Sequence, residues 1–287
     1  MNETLKRLLS GAIYVIILLA SIQFSTNENF TSFFILFGIF LIIAVYEFCS
    51  LVKINKILPI VFAFATYFIT YQIAIASKKE IFLYSLRFNK ETELILLFIT
   101  LLVSVKCLFF LFDKKVVTIS TLSKYIYTFG YITFPFLLIT KIPFGNSGYN
   151  PKIIISVFLL IWTNDTFAYI VGKTIGKRKL FESVSPKKTI EGFLGGILSA
   201  TVVGYIISKY YIEIKDSNIY IWIIMALIVG IFGTIGDLIE SKFKRIAGAK
   251  DSGKIMPGHG GILDRLDSVI FATPIIFLFY KILNYVS

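Results

Sequence analysis

The sequence predicts an all-α, polytopic integral membrane protein with about nine transmembrane helices. The chain has 287 residues, of which 56% are hydrophobic and 16% aromatic, and its mean hydropathy is +0.81. Its apolar runs are long enough to cross a bilayer, since about 20 residues span the hydrocarbon core. The polar stretches between the runs are too short to form a separate soluble domain.

The apolar runs, taken in chain order, give the individual helices. The first run follows Lys6 and Arg7 as in a secretion signal, but it continues to about Phe24 without a small-residue cleavage site, so we expect a retained span. We divide the single membrane domain into N-terminal helices at residues 1–150, with about five spans, and a C-terminal region at residues 151–287. The spans are predicted at residues 8–24, 30–50, 57–77, 92–112, 124–141, 153–172, 189–208, 219–239 and 267–285.

The net charge of +12 is unevenly distributed over the loops. If the spans alternate in direction, 19 of the 29 Lys and Arg residues fall on one side and 8 on the other. The positive-inside rule then places the N-terminus and two loops with six basic residues each in the cytoplasm, and the C-terminus outside. This asymmetry favours a membrane-oriented protein, and we expect no nucleic-acid partner.

The two cysteines suggest no chemistry. Cys49 and Cys107 lie in predicted spans, far apart in sequence and at no metal-binding or redox spacing, so we expect buried, uncharged side chains. No internal repeat stands out in the sequence, which argues against a transporter built from inverted halves.

The first polar motif is WTNDTFAYIVGKTIGKRKLFESVSPKKTIEGFLGG, residues 162–196. Asn164 and Asp165 interrupt an apolar span, where a charged side chain costs about 2.5–3.5 kcal/mol at the helix centre. Asp165 therefore either faces a polar cavity or pairs with a basic residue on a neighbouring helix.

Two lysines stand further along the same motif. Ser185 resembles a helix N-cap and Pro186 a first helical residue, which would put Lys187 and Lys188 in the first turn. The helix dipole favours acids there, so the lysines indicate an anion docked on the helix end. The alternative is a basic anchor that follows the positive-inside rule alone.

The second polar motif is GDLIESKFKRIAGAKDSGKIMPGHGGILDRLDS, residues 236–268. Asp237 and Ser241 are four residues apart and share a helix face, with Glu240 nearby. Asp264 and Asp267 are three apart on the next segment and form a second acidic face. Carboxylate oxygens suit magnesium, which proteins hold with one or two carboxylates together with substrate phosphates.

Basic residues and glycines occupy the loop between these two acidic faces. The alternative to a polyphosphate site is a solvated charge run, which would not need Gly258, Gly260 and Gly261 for backbone turns and close ligand approach. The only histidine, His259, could bind phosphate, act as an acid or fix the loop. The basic residues expected in this region are Lys242, Lys244, Arg245, Lys250, Lys254 and Arg265.

Two short glycine motifs carry less weight. GAKDSGKI at residues 248–255 is not a P-loop, because Ile255 replaces the required Ser or Thr and a membrane helix replaces the preceding strand. GFLGG at residues 192–196 has the spacing of close helix packing and is weak evidence for a homodimer.

With these motifs the chain resembles the phosphatidate cytidylyltransferase family, also called the CDP-diacylglycerol synthases. Residues 241–267, SKFKRIAGAKDSGKIMPGHGGILDRLD, match every fixed position of the family signature. Met256 stands where the family more often has Leu, Ile or Phe, and Phe167 where it more often has Gly. The resemblance is dense over residues 162–268, whereas the first 150 residues match only as apolar spans.

The resemblance implies that CTP and phosphatidate react to give CDP-diacylglycerol and pyrophosphate, with Mg²⁺ and possibly a second cation as cofactors. It implies metal binding by Asp237 and Asp264. The full expected catalytic set is Asp237, Asp264, Asp165, His259 and Arg265. The expected substrate-binding set is Lys187, Lys188, Ser241, Lys244, Arg245, Lys250, Asp251, Gly260, Gly261 and Asp267.

Three alternatives stay open at this point. A CTP-using enzyme for another membrane lipid, of the CDP-archaeol synthase or polyprenol kinase type, would carry the same kind of site. A transporter for an anionic solute would align charges through several spans near mid-membrane, whereas most charges here gather at one surface. A non-catalytic scaffold would not need two acidic faces around a glycine loop.

Overall fold

The computed structural model describes residues 3–78, 90–113, 115, 118–145, 148–212 and 219–286. Within these ranges it contains eight helices that are long and apolar enough to cross a membrane. The prediction of an all-α polytopic membrane protein is confirmed. The four N-terminal helices are α1 (Glu3–Gln23), α2 (Thr31–Val52), α3 (Ile57–Lys78) and α4 (Lys90–Phe112).

The fifth predicted span is a helical run broken by a π-helical segment. Helix α5 (Thr121–Tyr127) leads into π-helical residues Thr128–Thr133, and α6 (Phe134–Ile139) follows. Pro135, at the start of α6, has no N–H to donate to the preceding turn, which favours the wider π geometry there. The sequence pattern predicts a helical span here but not the π-helical segment that interrupts it.

Two short hairpins flank the seventh helix. The first pairs β1 (Phe144–Gly145) with β2 (Gly148–Tyr149) in antiparallel fashion. Helix α7 (Pro151–Thr174) begins at the Asn150 N-cap, whose side-chain oxygen accepts a hydrogen bond from the backbone N–H of Lys152 at 3.0 Å.

The second hairpin overturns the predicted helix start at Ser185. Strands β3 (Lys179–Phe181) and β4 (Ser185–Thr189) are antiparallel, so Lys187 and Lys188 are extended rather than helical. Helix α8 (Ile190–Ile206) begins after Thr189, whose hydroxyl accepts from the Gly192 N–H at 3.1 Å and so supplies the cap. Pro186 is compatible with this short edge strand, where its missing N–H is not required.

The last two helices are longer than the apolar runs predict. Helix α9 (Ile219–Ala247) continues well past residue 239, and α10 (Leu263–Val286) begins before residue 267. The expected loop residues Lys242, Lys244 and Arg245 therefore lie on the last turns of α9. The end of α9 stays helical because Lys242 and Lys244 are buried and find partners on neighbouring elements.

Close packing among α7, α8, α9 and α10 forms the C-terminal part of the bundle. Small residues bring α7 and α8 together: a Cβ at Gly192 would lie 2.5 Å from the Ala168 carbonyl oxygen, and one at Gly196 would lie 2.7 Å from the Asn164 carbonyl oxygen. The GFLGG spacing thus serves helix packing within the chain.

Candidate functional site

A polar cavity of about 740 Å³ lies where α7, α9, α10 and the second hairpin meet. The lining combines carboxylates predicted from the two polar motifs with lysines of the hairpin and of the end of α7. Its charged lining residues are Asp165, Lys173, Lys179, Lys187, Lys188, Asp237, Lys244, Asp251, Asp264, Arg265 and Asp267.

Three carboxylates converge beside this cavity, and two of them, Asp237 and Asp267, line it. One oxygen from each of Asp237, Glu240 and Asp267 lies within 4.8 Å of the others. The α-helical spacing of three residues places Asp237 and Glu240 on one face of α9, and Asp267 reaches them from α10. A close set of carboxylate oxygens is the donor set that hard divalent cations take, so these residues fit a magnesium ion.

Two lysines offset the charge of these acids. Lys188 on β4 pairs with Asp237 across 2.5 Å, and Lys244 on α9 pairs with both Glu240 and Asp264. Glu240 is fully buried, and its close contact with Lys244 compensates a charge that would otherwise be costly. The acidic and basic groups thus form one network along the cavity wall.

Asp264 occupies a different position from the other three acids. Its Oδ1 accepts from the Lys244 ammonium at 2.7 Å. Its Oδ2 accepts from the backbone N–H and the hydroxyl of Ser252, both at 2.9 Å, and from the Gly261 N–H at 2.7 Å. The segment between α9 and α10, residues 248–262, is called the glycine loop. Asp264 lines the cavity and at the same time ties the glycine loop to α10. That it is a metal ligand stays a prediction.

Glycine at position 260 is required by this arrangement. Gly260 has φ +86, a left-handed conformation that side chains disfavour. A Cβ there would lie 2.5 Å from Asp264 Oδ2. Gly261 has a different reason: a Cβ there would lie 2.3 Å from the Ser252 hydroxyl oxygen. Both predicted glycines thus let the loop backbone approach the Asp264 carboxylate.

Asp165 faces the cavity from α7. Its Oδ1 accepts from the Asn164 side-chain nitrogen at 3.2 Å, while Lys188 on the same cavity wall pairs with Asp237 instead. Of the two sequence interpretations, the position at a polar cavity is the one that the structure favours.

His259 lies behind the loop, against α1. Its Nδ1 is 2.7 Å from the Ser10 hydroxyl, which also contacts the Pro257 carbonyl oxygen at 2.9 Å. Partial burial, together with the charges of Arg265 and Arg7, lowers the pKa of His259, so the ring is neutral at pH 7. His259 is absent from the cavity lining among the described residues, and this geometry favours its role in fixing the loop.

The remaining predicted residues divide between the cavity and its support. Arg265 lines the cavity and donates to the His259 carbonyl oxygen at 3.0 Å. The Ser241 hydroxyl donates to Asp237 at 3.2 Å and so supports an acid of the cluster. Arg245 instead donates to the Val184 carbonyl oxygen at 3.3 Å, and it and Lys250 are described residues outside the cavity lining.

Sequence reasoning missed Glu47 of α2, which contacts the loop from the N-terminal half of the chain. A signal was available, because a carboxylate in an apolar span is costly and marks a functional candidate. It also missed Lys173 on the last turn of α7 and Lys179 on β3, which line the cavity together with Lys187. The position of Lys179 depends on the hairpin, which the periodicity of this segment does not predict.

A model of the cytidylyltransferase family matches residues 5–283, almost the whole chain. The chain belongs to the cytidylyltransferase family. The match includes the N-terminal helices, for which the sequence motifs offered no evidence. The cavity therefore lies in a member of this family, and part of its lining comes from the signature motif.

Curated bacterial relatives are similar to part of the chain. A protein named phosphatidate cytidylyltransferase from Staphylococcus haemolyticus (strain JCSC1435) is 48% identical over 123 residues, which are 43% of this chain and 46% of the relative. The protein of the same name from Staphylococcus aureus (strain COL) is 49% identical over 125 residues, again 43% and 46%. The matched stretch thus spans about half the length of these relatives.

Proposed function

We propose that the protein is a phosphatidate cytidylyltransferase, which converts CTP and phosphatidate into CDP-diacylglycerol and pyrophosphate. The observation that carries this proposal is the cavity in which carboxylates of α7, α9 and α10 face lysines of α7 and the second hairpin. Membership of the cytidylyltransferase family and the names of the staphylococcal relatives support the same reaction.

The proposed reaction is attack by a phosphate oxygen of phosphatidate on the α-phosphorus of CTP. One P–O bond forms there as the bond to the β-phosphate breaks, and pyrophosphate leaves with the bonding electrons. A phosphate monoester is already anionic, so the protein need not remove a proton. The main contributions of the protein are then the positioning of two anions and the stabilisation of developing charge.

Magnesium fits the acid cluster, and we propose Asp237 and Asp267 as its ligands, with Glu240 buried behind them. When bound, the ion neutralises phosphate charge and stabilises the leaving pyrophosphate. Asp264, implied as a metal ligand by the family resemblance, already has four donors on its two oxygens. We propose that Asp264 acts chiefly by holding Lys244 and the loop in place.

The lysine wall is suited to phosphates that the metal does not neutralise. Lys173, Lys179 and Lys187 line the cavity, and each carries a positive charge toward the substrates. Tyr169 and Phe193 lie in the same lining, and Tyr169 is 66% exposed on the outer surface of the helix bundle. A lipid phosphate can reach the lysines there while its chains stay in the bilayer.

We further propose that the cavity opens to the cytoplasm of the cell. The basic loops of the predicted topology lie on that side, and CTP is made there. The lipid substrate would then reach the cavity laterally and CTP from water.

A turnover assay on the purified protein in lipid–detergent micelles tests the proposed function. We expect CDP-diacylglycerol and pyrophosphate to form in equal amounts from phosphatidate and CTP, and only with Mg²⁺ present. A folded preparation that makes neither product would contradict the proposal. Product from an ether-linked or polyprenol acceptor, and not from phosphatidate, would move the assignment to another lipid substrate.

A further inference from the structure

Glu47 is a buried carboxylate near the C-terminal end of the apolar helix α2. It is 2% exposed and lies on α2, outside every motif that predicts the cavity. Its oxygens accept from the backbone N–H groups of Ile262 at 3.3 Å and Leu263 at 2.9 Å. These are the residues at which the glycine loop ends and α10 begins. The carboxylate therefore provides acceptors for N–H groups that the helix itself leaves unpaired.

The loop closes tightly around this carboxylate. A Cβ at Gly253 would lie 2.1 Å from Glu47 Oε1, and one at Gly261 would lie 2.4 Å from Glu47 Oε2. Two glycines on opposite sides of the loop thus give the carboxylate the space it occupies. The signature segment is shaped around a residue that comes from more than 200 positions earlier in the chain.

Glu47 and Asp264 share the donors of the loop. Of three consecutive N–H groups, that of Gly261 donates to Asp264 and those of Ile262 and Leu263 donate to Glu47. The Ser252 hydroxyl lies between the two carboxylates, 2.9 Å from Asp264 and 3.4 Å from Glu47. The position of Asp264 therefore depends on a backbone that Glu47 holds.

We propose that Glu47 is a positioning residue for the active site. By binding the start of α10 it fixes the beginning of this helix, from which Asp264, Arg265 and Asp267 reach the cavity. Its negative charge at the N-terminal end of α10 also interacts favourably with the helix dipole. This proposal assigns a role to the N-terminal helices in the reaction, and it rests on the proposed function.

Two substitutions at position 47 distinguish the hydrogen bonds of the carboxylate from the space that the side chain fills. Glu47→Ala removes both acceptors, whereas Glu47→Gln keeps one oxygen and places an NH₂ group toward the second donor. In hydrogen exchange, we expect the peptide covering residues 252–263 to exchange about tenfold faster in Glu47→Ala, which corresponds to about 1.4 kcal/mol, with Glu47→Gln in between. This readout does not depend on enzymatic activity.

Turnover measurements test whether the reaction depends on the loop backbone that Glu47 binds. We expect Glu47→Ala to lower kcat about tenfold or more and to raise the Mg²⁺ concentration for half-maximal rate, as expected for acids held less accurately around a metal. Glu47→Gln should restore part of the rate. A purely structural role would lower the thermal midpoint without moving the Mg²⁺ requirement of the folded fraction.

Glu93→Gln is the matched control. Glu93 is another carboxylate of the N-terminal helices that is partly buried, and it pairs with Lys141 at 2.7 Å and Lys281 at 2.5 Å, away from the loop. We expect this variant to leave the exchange of residues 252–263 and the Mg²⁺ requirement unchanged.

Two results would overturn the proposal: unchanged exchange in Glu47→Ala, or faster exchange with an unaltered rate and Mg²⁺ requirement. A wild-type protein without turnover, in which Glu47→Ala still speeds exchange, would instead contradict the proposed function.

Discussion

At the scale of single residues, the acids of the cavity have different surroundings, so their substitution should have different effects on the enzyme. Asp237 and Asp267 lie in the cluster with Glu240, where an ion fits. Asp264 is occupied by Lys244, Ser252 and Gly261. The loss of a cluster acid should weaken metal binding, whereas the loss of Asp264 should disturb the loop and Lys244.

We predict that Asp267→Asn raises the Mg²⁺ concentration for half-maximal turnover about tenfold or more, since it removes the charge of a proposed ligand. Asp264→Asn should reduce kcat to near background with a smaller change in the Mg²⁺ requirement. Titration of the rate with Mg²⁺ for both variants makes the comparison, and Asp113→Asn, an exposed acid at the end of α4, is the control. If Asp264→Asn moves the Mg²⁺ requirement most, Asp264 is the ligand after all.

Much of this site follows from residue types and spacing alone. Helical periodicity places Asp237 beside Ser241, and the structure joins them by a hydrogen bond. A polar cavity is one of the two interpretations of Asp165 that the sequence leaves open, and Asp165 lines that cavity. The contribution of Glu47 depends on how α2 packs on the loop, which is a tertiary fact that no local pattern encodes.

At the scale of elements, the end of α9 shows why a basic run is not one functional unit. Lys242 and Lys244 are two residues apart, so they leave the helix in different directions. The Lys242 ammonium donates to the carbonyl oxygens of Phe110, Leu111 (3.2 Å) and Asp113 (2.6 Å) at the end of α4. Lys244 lines the cavity and pairs with its acids.

We predict opposite outcomes for the two lysines. Lys242→Met leaves buried carbonyl groups at the end of α4 without a donor and should cost about 1–3 kcal/mol of stability, while the folded enzyme keeps its kcat. Lys244→Met should reduce turnover at least tenfold because it leaves Glu240 and Asp264 without their shared cation. Thermal unfolding and turnover of both variants distinguish the structural role of Lys242 from the role of Lys244 in the cavity. A Lys242→Met enzyme with normal stability and poor turnover would place Lys242 in the site instead.

Element boundaries were predictable only where hydropathy changes. The long helices agree with the apolar runs to within a few residues over most of the chain. The second hairpin was predicted as a helix start because Ser-Pro-Lys-Lys resembles a cap, whereas Thr189 supplies the cap four residues later. The end of α9 was missed because its lysines lower hydropathy while their partners keep them buried.

At the scale of the whole molecule, the division at residue 150 separates the sequence motifs more than it separates the structure. Ser10 of α1 contacts His259, and Glu47 of α2 contacts the start of α10. Both contacts reach the glycine loop from the N-terminal helices. We therefore regard the N-terminal helices as the support of the cavity, a role that their sequences do not reveal apart from the isolated carboxylate of Glu47.

The orientation of the whole molecule in the membrane gives the last prediction. From the positive-inside rule we propose that the cavity side faces the cytoplasm. Lys254 is exposed on the loop of that side, and Glu28 is exposed in the turn between α1 and α2 at the opposite end of α2. The labelling background lacks Cys49 and Cys107, both buried. In it we expect Lys254→Cys to react with an impermeant maleimide only in inside-out vesicles, because the loop side faces the cytoplasm in the proposed orientation. Glu28→Cys, the control, should react only in right-side-out vesicles. The reverse pattern would place the cavity outside the cell, away from CTP, and would contradict both the orientation and the proposed access of the nucleotide.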